Sequence, residues 1–133
     1  MADFQAVEAR LRRIFDPYRR DLTVSKEGPD GIYLETPGHE GQPYGYVGGT
    51  RLGKAYVSYY LMGVYDGELA KSISPELKRR MQGKCCFNFT KIDEGLFDEL
   101  ETLTAKSIAR QPQVVADALA ARATRKAVPS GKD

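Results

Sequence analysis

Between Asp3 and Tyr18 the apolar residues Phe4, Val7, Leu11, Ile14, Phe15 and Tyr18 recur at spacings of three and four, the stripe of an amphipathic helix. Asp3 stands where a cap is needed, and Pro17 sits in the last turn, where a proline ends or kinks a helix. Glu8, Arg10, Arg12, Arg13 and Asp16 occupy the opposite side and read as a solvated face. The period then changes to two. Leu22 and Val24, followed by Ile32 and Leu34, flank a Gly-Pro-Asp-Gly cluster at 28–31, which predicts a β-hairpin. "TPGHEGQP" follows as a loop; it carries the single histidine, His39, which reads as a loop residue rather than a base or a ligand.

Residues 44–62, "YGYVGGTRLGKAYVSYYLM", hold the least ordinary pattern. "TRLG" reads as a tight turn joining a glycine-rich strand to a strand from Lys54 to Met62. In that second strand Ala55, Val57, Tyr59 and Leu61 project one way, and Tyr56, Ser58, Tyr60 and Met62 the other. Neither side is polar in the way of a wet strand face. The segment is expected to be a central strand covered on both sides by helices, a second subunit or a ligand. Seven of the eight tyrosines fall between Tyr33 and Tyr65, which suits an amphipathic wall, because a tyrosine buries its ring but wants a partner for its hydroxyl. Gly45, Gly48 and Gly49 suggest close backbone approach or a neighbouring ring lying over the gap.

"SISPELKRRMQGK" has agreeing helix signals: Ser74 as cap, Pro75 in the first turn, Glu76 at the positive end of the dipole, Lys78-Arg79-Arg80 at the negative end, and Gly83 as the stop. "KCCFNFTKI" reads as a strand that puts Cys85 with Phe87 and Phe89, and Cys86 with Asn88 and Thr90. Adjacent thiols that face apart cannot share a metal, and two cysteines with one histidine fall short of a four-ligand zinc site. Cys85 is therefore a small buried hydrophobe, while Cys86 on the more polar side is open to reaction if exposed. "IDEGLFDELETLTAKSIAR" is an amphipathic helix capped by Asp93, with Asp98, Glu99 and Glu101 spread around it rather than converging. Past Gln111-Pro112, "QVVADALAARATR" offers a further helix and "KAVPSGKD" reads as disordered.

Composition narrows the function. A chain of 133 residues makes one domain with an ordinary core, here drawn as an α+β domain over 1–110 with an extension over 111–133. The net charge of +2 lies in that extension, where Arg122, Arg125, Lys126 and Lys132 stand against Asp117 and Asp133; the rest carries sixteen bases and sixteen acids. A neutral body is a poor electrostatic footprint for nucleic acid. No apolar run approaches a membrane span, and the start lacks a secretory pattern, so a cytoplasmic protein with no membrane partner is expected. No P-loop, dinucleotide fingerprint or Ser-His-Asp order appears, and no catalytic residue, metal site or cofactor is assigned.

The run "GKAYVSYYLM" through "SPELKRRMQGKCCFNFTKIDEGLFDELETLTAKSI" resembles the small bacterial YdhG-like proteins, and more loosely YjbR-like proteins, over residues 21–110. The resemblance implies an α+β fold: a curved antiparallel sheet of about five strands, flanked by an N-terminal helix, a short helix before the last strand and a C-terminal helix. Iron-chaperone and DNA-binding roles travel with such relatives. The first would need converging carboxylates where this chain puts Arg10, Arg12 and Arg13, and no residue role is carried over.

The expectation is then a non-catalytic binding or interaction module. Its Tyr56, Ser58 and Tyr60 face, with Arg51, Lys54, Lys84 and Asn88 around it, would take a small anionic ligand or a second copy of the chain. The alternative is weak nucleic-acid binding through the arginine-rich first helix and the basic tail.

Overall fold

The computed structural model describes residues 3–64 and 68–127, the last four by backbone alone. Of the tail expected to be disordered, Lys126 and Ala127 are helical; residues 128–133, and Tyr65 of the tyrosine cluster, lie outside the described residues. Helix α1 (Phe4–Arg12) starts where Asp3 accepts a hydrogen bond from the Ala6 amide at 3.1 Å. It tightens into a 3-10 turn over Arg13–Tyr18 that contains Pro17.

One antiparallel sheet follows: β1 (Thr23–Gly28), β2 (Gly31–Glu35), β3 (Tyr46–Leu52), β4 (Val57–Leu61), β5 (Met81–Gln82) and β6 (Cys86–Phe89), in the spatial order β1-β2-β3-β4-β6-β5. A short helix α2 (Pro75–Lys78) precedes β5, and helix α3 (Glu94–Ala127) is the last element among the described residues. The α+β architecture is the expected one, with six strands rather than about five.

Three local expectations need correction. "TRLG" is not a turn: Thr50, Arg51 and Leu52 complete β3, and the connection is 53–56, closed by the Gly53 amide donating to the Tyr56 carbonyl at 3.0 Å. Gly83 does not stop α2. With φ +77° it turns the β5–β6 hairpin, in the left-handed region that glycine enters without strain. Nor does the chain break at Pro112, because α3 runs through it. Tertiary contacts hold the helix there: the Gln111 amide donates to Thr36 Oγ1 at 2.9 Å and to the Tyr44 carbonyl at 3.0 Å, and Val115 is buried. These offset a helix-interior proline that costs about 3 kcal/mol.

The core lies between one face of the sheet and the helices. Val7, Leu11 and Phe15 press on Leu34, Tyr59 and Leu61, and Phe97 and Leu100 of α3 complete it beside Phe87 and Phe89. Tyr59 is its centre, fully buried, stacked on Phe15 with centroids 4.9 Å apart, its hydroxyl 2.6 Å from Thr104 Oγ1. Gly48 makes room for Phe15: a Cβ there would lie 3.1 Å from the ring and 2.4 Å from the Tyr60 carbonyl oxygen. Gly63 does the same for α3, since a Cβ would come within 2.0 Å of Ser107 Oγ.

Arg10, Arg12 and Arg19 are tied to the fold. Arg10 grips Glu94 at 2.8 Å and Glu101 at 3.2 Å. Arg12 meets Glu8 at 2.7 Å and Glu27 at 3.3 Å, and Arg19 meets Glu27 at 2.7 Å and Asp16 at 2.8 Å. Hydrogen bonding to Arg19 above all holds the Glu27 carboxyl below its usual range. Glu8 is buried rather than solvated, and also accepts from Thr50 Oγ1 at 2.6 Å. Among the described residues no helix is long and apolar enough to cross a membrane.

Candidate functional site

The sheet has a second face, and strand alternation decides what stands on it. Val57, Tyr59 and Leu61 of β4 go into the core, so Ser58 and Tyr60 face outward. Register then lays out two outward rows. One runs Lys26, Tyr33, Gly49, Tyr60, Cys86, Gln82 across the strands; the other runs Arg51, Ser58, Asn88. The helices α1 and α3 pack on the opposite side, so the double covering expected of β4 is met by helices on one side only.

Tyr46 reaches this face through an irregularity. Leu34 pairs with Gly48 but Glu35 pairs with Tyr46, a bulge that sends Val47 into the core and leaves Tyr46 outside. Its ring stacks on Tyr33 with centroids 4.3 Å apart and planes 15° from parallel. Burial raises the Tyr46 phenol well above the ordinary tyrosine value, with Tyr33 next to it adding to the effect.

Two hollows open on the face. The larger, about 730 Å³, lies against the tip of the β1–β2 hairpin and is lined by Tyr33, Tyr46, Tyr60, Arg51, Lys26 and Asp30 among others. The smaller, about 320 Å³, is lined by Arg51, Lys54, Tyr56, Ser58, Tyr60, Gln82 and Cys86 with backbone from 53 and 55. Arg51 and Tyr60 belong to both, which makes the hollows neighbours.

Polar side chains cross the floor of the smaller hollow in a directed network. Ser58 Oγ donates to Asn88 Oδ1 at 2.8 Å, and Cys86 Sγ donates to the same oxygen at 3.4 Å. Asn88 Nδ2 donates to Gln82 Oε1 at 2.8 Å, and the Tyr56 hydroxyl reaches that oxygen at 3.4 Å. Arg51 and Lys54 are exposed and make no ion pair among the described residues, unlike Arg10, Arg12 and Arg19. Burial raises the Cys86 thiol, and the nearby Ser58 and Tyr60 hydroxyls offset only part of that, so the thiol stays protonated near neutrality.

Of the residues singled out from sequence, Arg51, Lys54, Tyr56, Ser58 and Tyr60 line one hollow together. Asn88 stands behind them in the network, and Lys84 sits in the exposed β5–β6 turn outside the lining. Cys85, expected as a buried strand residue, lies in the turn before β6 and is half-buried against the core. His39 is held in its loop, its amide bonded to the Thr36 carbonyl at 3.0 Å and its ring edge on Tyr44.

Tyr33, Tyr46 and Gln82 went unrecognised. Alternation with Ile32 and Leu34 already turns Tyr33 outward; the bulge that exposes Tyr46 and the two-residue strand that brings in Gln82 leave no comparable pattern. No cluster of three or more histidine, cysteine or carboxylate groups able to hold a metal occurs among the described residues. The chain matches no protein-family model, no curated protein and no solved structure.

Proposed function

We propose that the protein is a non-catalytic binding module whose outer sheet face holds a small aromatic ligand. The observation that carries this reading is the pair of adjoining hollows on the face that the helices leave open, walled by Tyr33, Tyr46 and Tyr60. The larger hollow falls within the roughly 300–1,000 Å³ of small-molecule sites, and each aromatic contact adds about 0.5–1.5 kcal/mol beyond the area it buries. Tyr33 is 39% exposed although a core was available to it, which fits a stacking surface. A protonated Cys86 supports binding over nucleophilic catalysis. A cytoplasmic setting suits two unlinked thiols.

The nucleic-acid alternative is weaker on the same grounds. Arg10, Arg12 and Arg19 are held in internal ion pairs, and freeing them for phosphates would break contacts of the fold.

The test is a thermal-shift and tyrosine-fluorescence titration of wild type, Tyr33→Ala and Tyr60→Ala with a panel of small aromatic compounds. A binder present at a hundred times its Kd stabilises the wild type by about 2.7 kcal/mol. The two variants should lose most of that gain. Equal gains in all three proteins, or none in the wild type, would contradict the assignment.

A further inference from the structure

We infer that the smaller hollow is an oxyanion subsite, which takes the carboxylate or phosphate end of a ligand whose flat body lies on the tyrosines of the larger hollow. This rests on the aromatic-ligand reading above and adds what the ligand's head must be.

Donors and acceptors around the smaller hollow do not balance. In the Ser58–Asn88–Gln82 network both amide oxygens are already met by two donors: Asn88 Oδ1 by Ser58 and Cys86, Gln82 Oε1 by Asn88 and Tyr56. A carbonyl oxygen has two lone pairs, so neither is left to accept from a ligand. The nitrogens are the reverse. Gln82 Nε2 has no acceptor among the described residues, and Asn88 Nδ2 uses one of its two protons. The network thus turns its acceptors inward and leaves N–H groups over.

Charge points the same way. The lining of the smaller hollow contains two cations, Arg51 and Lys54, and no carboxylate. The larger hollow sets Lys26 and Arg51 against Asp30 and Glu27, and Glu27 is itself held by Arg12 and Arg19. A guanidinium, an ammonium and spare amide protons around one small space match a group with several acceptor oxygens and no proton to give. A neutral amide of the same shape presents a single acceptor oxygen and no charge to these donors. Arg51 lines both spaces, so a head bound beside it leaves an attached ring over Tyr60 and Tyr46.

Calorimetric titration of the full chain with naphthoate, naphthyl phosphate and naphthamide tests this, using wild type, Arg51→Gln and Lys54→Gln. Both substitutions are on exposed side chains and leave the core untouched. Hydrogen bonds to charged groups are worth about 1.5–3 kcal/mol, so at least one of the two anions should bind the wild type roughly tenfold or more tighter than the amide. Arg51→Gln should remove most of that preference, and Lys54→Gln should reduce it; the stronger anion tells carboxylate from phosphate. Equal binding of the amide and both anions by the wild type would overturn the oxyanion subsite while leaving the aromatic site in place. Equal weakening of all three probes by Arg51→Gln would overturn it as well. Failure of all three to bind the wild type would remove the aromatic reading and the subsite together.

Discussion

Replacing Tyr59 by phenylalanine probes the layer on which the open face is mounted. Tyr59 is fully buried in the central strand β4, and its hydroxyl meets Thr104 of α3 at 2.6 Å. Removing that oxygen leaves the ring on Phe15 in place and deletes one bond between sheet and helix. A buried hydrogen bond contributes about 1 kcal/mol net, and an orphaned buried hydroxyl costs about 1–3 kcal/mol, so Tyr59→Phe should destabilise by about 2 kcal/mol. Thr104→Val, which leaves the phenol without its partner, should cost a similar amount. The double variant removes both polar groups and should cost much less than the sum, giving a coupling of about 1–2 kcal/mol. Urea and thermal unfolding followed by circular dichroism measure all four proteins, and each single change should lower Tm by roughly 8 °C. Additive losses in the double variant would refute the pairing, and with it the docking of α3 that keeps the outer face clear of helices.

Other outcomes follow from the same geometry. Gly63→Ala puts a methyl 2.7 Å from Ser107 Cβ and should destabilise by about 1–3 kcal/mol in denaturant unfolding. Ser107→Ala should be neutral or stabilising by about 1 kcal/mol, because its hydroxyl has no partner among the described residues. Iodoacetamide should modify Cys86 more slowly than a cysteine in an unstructured peptide at neutral pH, since burial raises both thiols; faster modification of Cys86 would contradict the account. Stability should hold up to the ordinary thiol value of 9.0 and fall above it, more steeply above the ordinary tyrosine value of 10.0. Burial raises the thiols of Cys85 and Cys86 and the phenols of Tyr46 and Tyr59 in the fold, so the unfolded chain loses its protons first and is favoured as pH climbs. Tyr59→Phe should flatten that alkaline decline, read as a shallower loss of unfolding free energy with pH.

Much of this could be read from the chain. The three-four spacing of α1, the alternation in 57–61 and the parity of Cys86 and Asn88 against Phe87 and Phe89 are consequences of side-chain direction, and the fold keeps all of them. Arg51, Lys54, Tyr56, Ser58 and Tyr60 assemble for the same reason. Where reading failed, tertiary contacts overrode a local signal. Thr50 and Arg51 stay extended because they pair with β2 on one side and β4 on the other, and Leu52 pairs with β4. The β5 segment has two residues and takes its register from β6, with no pattern of its own. Pro112 ordinarily interrupts a helix, but the chain continues because Gln111 ties it to Thr36 and Tyr44 in the loop before β3 and Val115 is buried. Tyr46 faces outward only because of a bulge opposite Glu35, and composition gives no sign of a bulge.

The central claim is that the outer sheet face, and not the helical side, is where a ligand sits. Amide chemical-shift mapping of a nitrogen-labelled sample titrated with naphthoate tests it most directly. The account predicts shifts gathered at Tyr33, Gly49, Arg51, Tyr60 and Gln82, with the amides of Val7, Leu100 and Thr104 still. Shifts centred on α1 or α3, or a spectrum unmoved at saturating probe, would contradict it.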